Sequence, residues 1–325
     1  MSVSSSQVAV LFPGQGSQYV GMGQALAAAF PEAREVFAQA DEVLGYALSR
    51  IMWEGPDTLL DQTEHTQPAV FVHAVAAWRV LKAHLGDWTP RFAAGHSLGE
   101  LTTLVVTEAL DFTTALRLVH RRAHVMAEAG RRNPGRMAAL LGLSIEKVEG
   151  LVQTITERIG FVQVANDNCP GQVVISGTPE GVEAAVERAR ELGARRAIVL
   201  KVSVAAHSIL MAPAQEAFRA ALAQARLRAP RYPVVGNVAA RALHAADALF
   251  ADLSAQLTGP VRWRESVEHM LEEGVHTFVE FGPGRVLSNL VKRIRRNTRR
   301  ANLDAPEDLK TVLRLLTSET PIHGG

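Results

Sequence analysis

The sequence predicts an α/β fold in two parts, a large domain and a smaller one inserted into it. Short apolar segments run into glycine-containing turns followed by helical patterns, as in a parallel sheet covered by helices. Residues 136–202 depart from this pattern and read as β-α-β-β-α-β. The 325 residues exceed what one compact core usually holds. We therefore expect a large domain from residues 1–132 and 203–325 and a small domain from residues 133–202.

Composition and charge disfavour several classes of protein. Hydrophobic residues make up 47% of the chain and charged residues 21%, and a net charge of +1 argues against a nucleic-acid partner. A single cysteine, Cys169, allows no internal disulfide and suits a reducing cytoplasm. Met1–Gln7 lacks the basic and apolar regions of a signal peptide, and no apolar run reaches membrane-spanning length. We expect a cytoplasmic protein with no membrane partner.

The chain starts with a predicted strand, Gln7–Phe12, and a glycine-rich loop, Pro13–Gln18. The loop is neither G-x-G-x-x-G nor a P-loop, which disfavours nucleotide binding. Such a loop can instead bring a backbone N–H group close to a reacting carbonyl. Helical patterns follow at 23–44 with a break at Pro31, at 67–85 with Pro68 in the first turn, at 98–108, and at 111–130 with Asp111 as the cap.

Gly95-x-Ser97-x-Gly99 matches the nucleophile-elbow pattern. In this pattern a sharp turn between a strand and a helix lifts the serine hydroxyl out of the sheet, and side chains at the glycine positions would clash. The helix after the turn points its free N–H groups at whatever forms on the serine. Taken alone, the motif fits a chance match of strand, glycine turn and helix as well as it fits a nucleophile.

The small domain starts after the boundary at 133–135. Strands are predicted at 136–142, 161–165, 172–176 and 195–202, and helices at 144–158 and 179–192. This order is that of a ferredoxin-like unit, although the same elements could extend the main sheet. Asn166–Gly171 reads as a turn, and Cys169 within it as a bystander thiol.

The chain then returns to the large domain. Helices are predicted at 211–227, 246–257, 263–273 and from Gly284 to about Arg295, and strands at 232–235 and 276–281. Lys292–Arg296 with Arg299 and Arg300 forms a basic cluster, which either complements the helix dipole or docks an acidic partner. Residues 317–325 read as a loose tail.

A serine nucleophile needs a base, and His207 is the best candidate among the eleven histidines. Small residues flank it and leave room for a substrate. His96 adjoins Ser97, but its side chain should leave the turn in another direction and shape the pocket. Ordinary α/β-hydrolases have the order Ser, Asp/Glu, His, with the histidine near the C-terminus, and no acid is obvious near His207. We therefore expect a different family, in which something other than a carboxylate orients the imidazole.

These stretches together resemble the malonyl-CoA:acyl-carrier-protein transacylases, the discrete acyltransferases of fatty acid synthesis and of trans-acting polyketide systems. The resemblance runs from Val8 to about Arg295. It rests on eight motifs in family order: Leu11–Gln18, Thr66–Ala69, Gly95–Glu100, Arg121–Met126, Pro170–Val174, His207–Ser208, Pro260–Trp263 and Phe281–Gly284. It implies an α/β-hydrolase-like large domain with an inserted ferredoxin-like small domain, in agreement with the element order above.

The resemblance implies a role for each catalytic group. Ser97 would attack the malonyl thioester and release CoA, with His207 as the general base and then the acid. The phosphopantetheine thiol of an acyl carrier protein, or of a polyketide synthase carrier domain, would attack next. The backbone N–H groups of Leu98 and Gln15 would form the oxyanion hole. A main-chain carbonyl in the Pro-Val-x-Trp segment, that of Arg262, would orient the histidine. No metal or resident cofactor is implied.

The resemblance also implies a substrate site. Arg122 would hold the malonyl carboxylate, because a guanidinium offers a bidentate fork that lysine lacks. Four further residues are expected to contact substrate: His96, Met126, Asn166 and Asn168. For the two asparagines a turn-forming role is an equal alternative.

One departure from the family bears on selectivity. Ala206 stands where the family often has serine, and Ala205 with Ala206 would leave space beside the acyl α-carbon. Malonyl is expected, with a substituted malonyl unit as the alternative. Two rival functions share parts of the site: a hydrolase that clears acyl groups from carrier proteins, which Arg122 argues against, and a non-catalytic docking subunit using the basic cluster.

Overall fold

Two β-sheets organise residues 7–202 and 204–317, which the computed structural model describes. The strands are β1 (Val8–Phe12), β2 (Phe92–Gly95), β3 (Arg136–Leu141), β4 (Val162–Cys169), β5 (Gln172–Gly177), β6 (Arg196–Val199), β7 (Val234–Val235), β8 (Ala242–Leu243), β9 (Thr277–Phe281) and β10 (Arg299–Leu303). The helices are α1 (Gln24–Ala29), α2 (Pro31–Leu44), α3 (Leu48–Glu54), α4 (Asp57–Leu60), α5 (Thr63–Leu85), α6 (Leu98–Val106), α7 (Phe112–Arg132), α8 (Ile145–Arg158), α9 (Pro179–Glu191), α10 (Ala212–Gln224), α11 (Ala246–Ala255), α12 (Trp263–Glu272), α13 (Val286–Ile294) and α14 (Asp308–Thr317).

The larger sheet has the order β10-β9-β1-β2-β7-β8 and is parallel except for the β7–β8 pair. Every residue of β1 is buried, as expected for a central strand with helices on both faces. Phe12 pairs with Gly95, so the loops after β1 and β2 leave the sheet at the same edge. This register brings the Pro13–Gln18 loop beside Ser97.

The smaller sheet has the order β4-β5-β3-β6, and its strand pairs are antiparallel. Helices α8 and α9 pack on it, and their apolar residues form a separate core cluster with the strands. Strand β4 also joins the rest of the molecule, because Val261 donates its N–H to Ala165 and accepts from the N–H of Asp167. The smaller sheet therefore reaches the region that follows α11.

The structure differs from the predicted helix and strand boundaries at several places. Helix α5 begins at Thr63, so Pro68 lies inside it and not in its first turn. Strand β4 extends to Cys169, so Asn166 to Cys169 is strand where a turn was expected. Arg299 and Arg300 lie in β10 and not at the helix end with Lys292–Arg296. Helices α3, α4 and α14 and strand β8 also escaped prediction.

The two chain ends give no test of their predictions. Met1–Ser6 and residues 318–325, where the polar N-terminus and the loose tail were expected, lie outside the described residues. Within the described part of the chain, no helix combines the length and apolarity that crossing a bilayer requires.

Candidate active site

Ser97 occupies the turn between β2 and α6 with a φ of 51° and a ψ of −107°, a positive-φ conformation that is costly for a residue with a side chain. The turn is possible because glycines stand two residues before and two residues after Ser97. A Cβ on Gly95 would lie 1.9 Å from the backbone of Gly99, and a Cβ on Gly99 would lie 1.9 Å from the carbonyl oxygen of Phe12. The glycines are thus required by close packing of backbone on backbone.

Asn237, which follows β7, holds the strained turn from the neighbouring strand. Its Oδ1 accepts from the N–H of Ser97 at 2.7 Å, and its Nδ2 donates to the carbonyl oxygen of Gly95 at 2.6 Å. The side chain is buried. Both bonds disappear if the elbow relaxes, so Asn237 stabilises the conformation that projects the hydroxyl.

Ser97 and His207 are hydrogen bonded, with Oγ 2.8 Å from Nε2. The other ring nitrogen, Nδ1, lies 2.9 Å from the carbonyl oxygen of Gln256 and 3.2 Å from that of Gly259. A carbonyl oxygen can only accept, so Nδ1 carries the proton and Nε2 is free to accept from the serine hydroxyl. This is the tautomer that a general base requires.

The prediction that Arg262 orients His207 is wrong. The carbonyl oxygen of Arg262 accepts from the N–H of Ser266 and belongs to the first turn of α12. The adjacent Val261 pairs with β4. The backbone of the Pro260–Trp263 segment is therefore used in contacts with β4 and in the start of α12. The carbonyl oxygen that orients His207 belongs instead to Gln256, directly after α11.

His207 is 2% exposed, and its burial, together with the nearby positive charge of Arg122, lowers its pKa to about 3. Both causes disfavour the imidazolium. The free protein thus keeps His207 neutral at physiological pH, ready to accept a proton. The imidazolium formed during a reaction would be stabilised by the two carbonyl oxygens at Nδ1.

Gln163 on β4 holds the backbone of the histidine loop. Its Nε2 donates to the carbonyl oxygens of His207 (3.0 Å) and Thr258 (3.1 Å), and its Oε1 accepts from the N–H of Ile209 (3.2 Å). His207 has a φ of 58°, which needs such support. The smaller sheet therefore contributes directly to the position of the base.

Arg122 is 1% exposed and points its guanidinium at the nucleophile, whereas the adjacent Arg121 is exposed. One nitrogen donates to Gln67 at 2.6 Å, and another donates to Ser97 Oγ at 3.1 Å and to Gln256 at 2.8 Å. Burial lowers the pKa of Arg122 to about 10, so it remains a cation at neutral pH. Its Nε has no partner among the described residues. A buried cation with a free donor beside a nucleophile is suited to binding an anionic group of a substrate.

Leu98 and Gln15, whose backbone N–H groups are the expected oxyanion donors, both line the cavity that contains Ser97. Leu98 is the first residue of α6, so its N–H has no acceptor within the helix. Gln15 lines the same cavity as Ser97, and its side chain accepts from Thr63 at 2.8 Å, which restrains the loop. The structure thus brings both residues to the nucleophile, and their backbone N–H groups remain the expected oxyanion donors.

The predicted substrate-contacting residues gather around one cavity of about 120 Å³. Its lining contains Gln15, His96, Ser97, Leu98, Arg122, Met126, Met137, Asn166, Leu200, Val202, Val204, Ala206 and His207. Asn168 is not in the lining. Its Oδ1 accepts a hydrogen bond from His96 Nε2 at 2.8 Å, so Asn168 acts on the cavity through that ring.

Ala206 lines the cavity but Ala205 does not. Ala205 is fully buried and packs against Gly135, where an added Cβ would come within 2.5 Å of it. The expectation that both alanines widen the wall is therefore wrong for Ala205. Any space beside the acyl group is set by Ala206 and the neighbouring valines.

Four residues of this site carried no predicted role: Gln67, Gln163, Asn237 and Gln256. Gln67 lies within the Thr66–Ala69 motif, so the sequence carries a signal for it. The other three are uncharged amides outside the motifs. Their roles depend on backbone carbonyls and N–H groups that fold next to them, which no residue pattern encodes.

Comparison with known proteins shows the family to which the chain belongs. Residues 10–309 match the acyl transferase domain family. The malonyl CoA-acyl carrier protein transacylase of Bacillus subtilis (strain 168) is 42% identical over 97% of this chain and 98% of that relative, and the one of Escherichia coli O157:H7 is 41% identical over 95% and 100%. A malonyl-transacylase solved with its type II polyketide synthase acyl-carrier protein is 41% identical, with a TM-score of 0.91 over 95% of this chain and 99% of that one. The chain therefore belongs to the acyl transferase domain family and, within it, to the malonyl CoA-acyl carrier protein transacylases.

Proposed function

We propose that this protein transfers a malonyl group from malonyl-CoA to the phosphopantetheine thiol of an acyl carrier protein, in fatty acid or polyketide biosynthesis. One observation carries the proposal: the serine nucleophile contacts both its general base and a buried cation. Ser97 Oγ lies 2.8 Å from Nε2 of His207 and 3.1 Å from a guanidinium nitrogen of Arg122. A thioester whose acyl group ends in a carboxylate is the substrate that such a pair recognises. The relatives named above carry this activity in their names.

In the first half-reaction His207 accepts the hydroxyl proton while Ser97 attacks the thioester carbonyl. The developing oxyanion is held by the backbone N–H groups of Leu98 and Gln15. Collapse breaks the C–S bond, and His207 returns its proton to the departing CoA thiolate. The malonyl group is left as an ester on Ser97 with its carboxylate on Arg122.

In the second half-reaction the thiol of the carrier protein takes the place of CoA. His207 removes its proton, the thiolate attacks the ester, and Ser97 leaves with the proton from His207. The reaction is ping-pong because one serine serves both thiols. It requires no resident cofactor or metal, since CoA and phosphopantetheine arrive with the substrates.

We further propose an α/β-hydrolase-like large domain, residues 1–132 and 203–325, with a ferredoxin-like insertion, residues 133–202. The two separate sheets and the β4-β5-β3-β6 order support this division. A cytoplasmic location is proposed on the strength of the single cysteine.

The test is acylation followed by transfer. Incubation with malonyl-CoA should add one malonyl group to the protein, intact-mass and peptide analysis should place it on Ser97, and Ser97→Ala should abolish it. The group should then move to a holo acyl carrier protein. Release of free malonate in place of transfer would favour the hydrolase, and no acyl-enzyme would refute both.

The carboxylate clamp is tested separately at Arg122. Arg122→Ala should reduce the preference for malonyl-CoA over acetyl-CoA by about 10²-fold, because a charge-assisted bidentate contact is lost. Arg122→Lys should recover only part of it, since an ammonium lacks the fork. Arg121→Ala is the matched control and should keep the preference. An unchanged preference in Arg122→Ala would remove Arg122 from this role.

A further inference from the structure

Behind Arg122 lies a chain of buried polar side chains that the proposed mechanism does not use. Gln256 and Glu100 are both 0% exposed, and Asp252 is 5% exposed. Gln256 Oε1 accepts from Arg122 at 2.8 Å, and its Nε2 donates to Glu100 Oε2 at 2.5 Å and to the carbonyl oxygen of Ser97 at 3.0 Å. Both N–H donors of the Gln256 amide are therefore used, and its oxygen accepts from Arg122.

These partners allow one orientation of the amide. Glu100 Oε2 and the Ser97 carbonyl accept hydrogen bonds here, so the NH₂ group must face them and the oxygen must face the guanidinium. A flipped amide would place NH₂ against a cation and oxygen against oxygen. Glu100 is thus what keeps the acceptor oxygen of Gln256 on Arg122.

Glu100 suits this task as a neutral acid. Asp252 accepts from the N–H groups of Val238 (3.2 Å) and Ala239 (2.6 Å), which fix the position of its carboxyl group. Burial, and then the proximity of Asp252, raise the pKa of Glu100 well above its ordinary range. Glu100 Oε1 has no partner among the described residues, which a neutral acid tolerates better than a carboxylate. A neutral Glu100 leaves the charge of Arg122 available to a substrate.

We propose that the side chain of Gln256, oriented by Glu100, is a positioning residue that sets the Arg122 fork for the substrate carboxylate. This role is separate from that of the Gln256 main-chain carbonyl, which holds His207. Gln67 accepts from another guanidinium nitrogen of Arg122 at 2.6 Å, so two amides fix the guanidinium from two sides. The Nε of Arg122 has no partner among the described residues. The inference rests on the proposed malonyl transfer.

The experiment compares acylation by malonyl-CoA and by acetyl-CoA in single turnovers. Gln256→Met keeps the size of the side chain and the main-chain carbonyl but removes the acceptor. It should lower the malonyl-to-acetyl ratio of kcat/KM by about tenfold, mostly through a higher KM for malonyl-CoA. Glu100→Gln, a neutral isostere that can still accept from Gln256, should keep the ratio near that of the wild type, and Glu100→Leu should lower it.

Controls separate positioning from general damage. Gln39→Met makes the same exchange on α2, where the amide donates to Thr113, and should leave the ratio unchanged. If Gln256→Met fails to fold, Glu100→Leu serves in its place, because it removes the acceptor that keeps the Gln256 oxygen on Arg122 and should lower the same ratio. Equal losses with both substrates, or an unchanged ratio, would overturn the inference. Absence of any malonyl-enzyme in the wild type would instead overturn the proposed function.

Discussion

The Nδ1 of His207 lies 2.9 Å from the backbone carbonyl oxygen of Gln256, in the place where a serine hydrolase of the usual triad has a carboxylate. A carbonyl oxygen fixes the tautomer and the ring direction as an acid would, but it brings no negative charge. With Arg122 close by, the imidazolium is therefore less stable than in a triad, and the base stays neutral to low pH. Because the Gln256 carbonyl carries no net charge, it also does not repel an anionic group of the substrate, as a carboxylate would.

The titration of His207 should reflect this arrangement. With a pKa lowered to about 3 from the ordinary 6.5, His207 should remain neutral as the pH falls through 6 and 5. The imidazole C–H resonances in NMR spectra, assigned with His207→Asn, should show no shift near pH 6.5. Arg122→Met removes a cation that lowers the pKa and should move the transition to higher pH. A wild-type transition near 6.5 would contradict this description of the site.

The same pKa has a consequence for stability with a definite sign. Below about pH 6.5 the unfolded chain protonates this histidine while the folded protein does not, so the unfolded state binds more protons. The contribution of His207 to the free energy of unfolding should therefore decline from about pH 6.5 toward pH 3. Urea titrations of wild type and His207→Asn at pH 7 and pH 5 measure it. The stability difference between the two proteins should move in favour of the variant at pH 5, and no change with pH would contradict the depressed pKa.

Asn237→Ala should damage both stability and acylation. The variant leaves the N–H of Ser97 and the carbonyl oxygen of Gly95 without their partner, at a cost of about 1 to 3 kcal/mol for a buried group. Urea unfolding measures the loss, and single-turnover acylation should slow because the elbow is no longer held. Asn289→Ala on the exposed face of α13 is the matched control. Equal stability of the two variants would show that Asn237 does not support the elbow.

Gly99→Ala and Gly150→Ala should have opposite effects although both glycines lie in helices. A Cβ at Gly99 would sit 1.9 Å from the carbonyl oxygen of Phe12, in a central strand that cannot move away, so this variant should unfold at a clearly lower temperature or fail to fold. At Gly150 in α8 an added Cβ meets nothing within 4 Å. That variant should gain about 0.5–1 kcal/mol from helix propensity. Thermal unfolding of the pair checks both signs, and a stable Gly99→Ala would refute the packing argument.

Cys169 should react slowly with thiol reagents in the folded protein. It is fully buried at the end of β4, and burial raises the pKa of its thiol, so both access and thiolate population are low. Alkylation followed by mass spectrometry should show little modification in buffer and rapid modification in denaturant. Because the chain has one cysteine, every label reports this site. Equal rates in both conditions would contradict its burial.

The error at Arg262 shows where sequence reasoning stops. The missing acid near His207 correctly indicates that a non-carboxylate partner orients the imidazole, but it does not say which carbonyl. That choice depends on where α11 ends and on Val261 pairing with β4, and the carbonyl lies six positions before the expected one. Every residue has a carbonyl, so sequence carries no mark for the one that is used.

All of strand β10 and the second half of strand β4 were not predicted, for a related reason. Strand β10 contains Arg299 and Arg300, whose charges suggested a helix end, yet it pairs with β9 through backbone groups alone. Strand β4 continues through Asn166 and Cys169, which have the composition of a turn, because its neighbours β5 and Val261 supply the hydrogen bonds. In both cases tertiary pairing outweighed local preference.

The sequence by itself predicted the α/β class, the order of most helices and strands, the elbow at Ser97, a histidine base at His207 and, through the family resemblance, Arg122 as the carboxylate-binding residue. Each of these predictions rests on a periodicity, a motif or a side chain with distinctive chemistry. The tertiary structure decided which carbonyl holds the base, which amides hold the elbow and the guanidinium, and which alanine faces the cavity. The hydrogen bonds behind the first two of these choices join groups that lie 49 to 159 positions apart in the chain. They become definite only when the register of β1 on β2 and the docking of β4 bring those positions together.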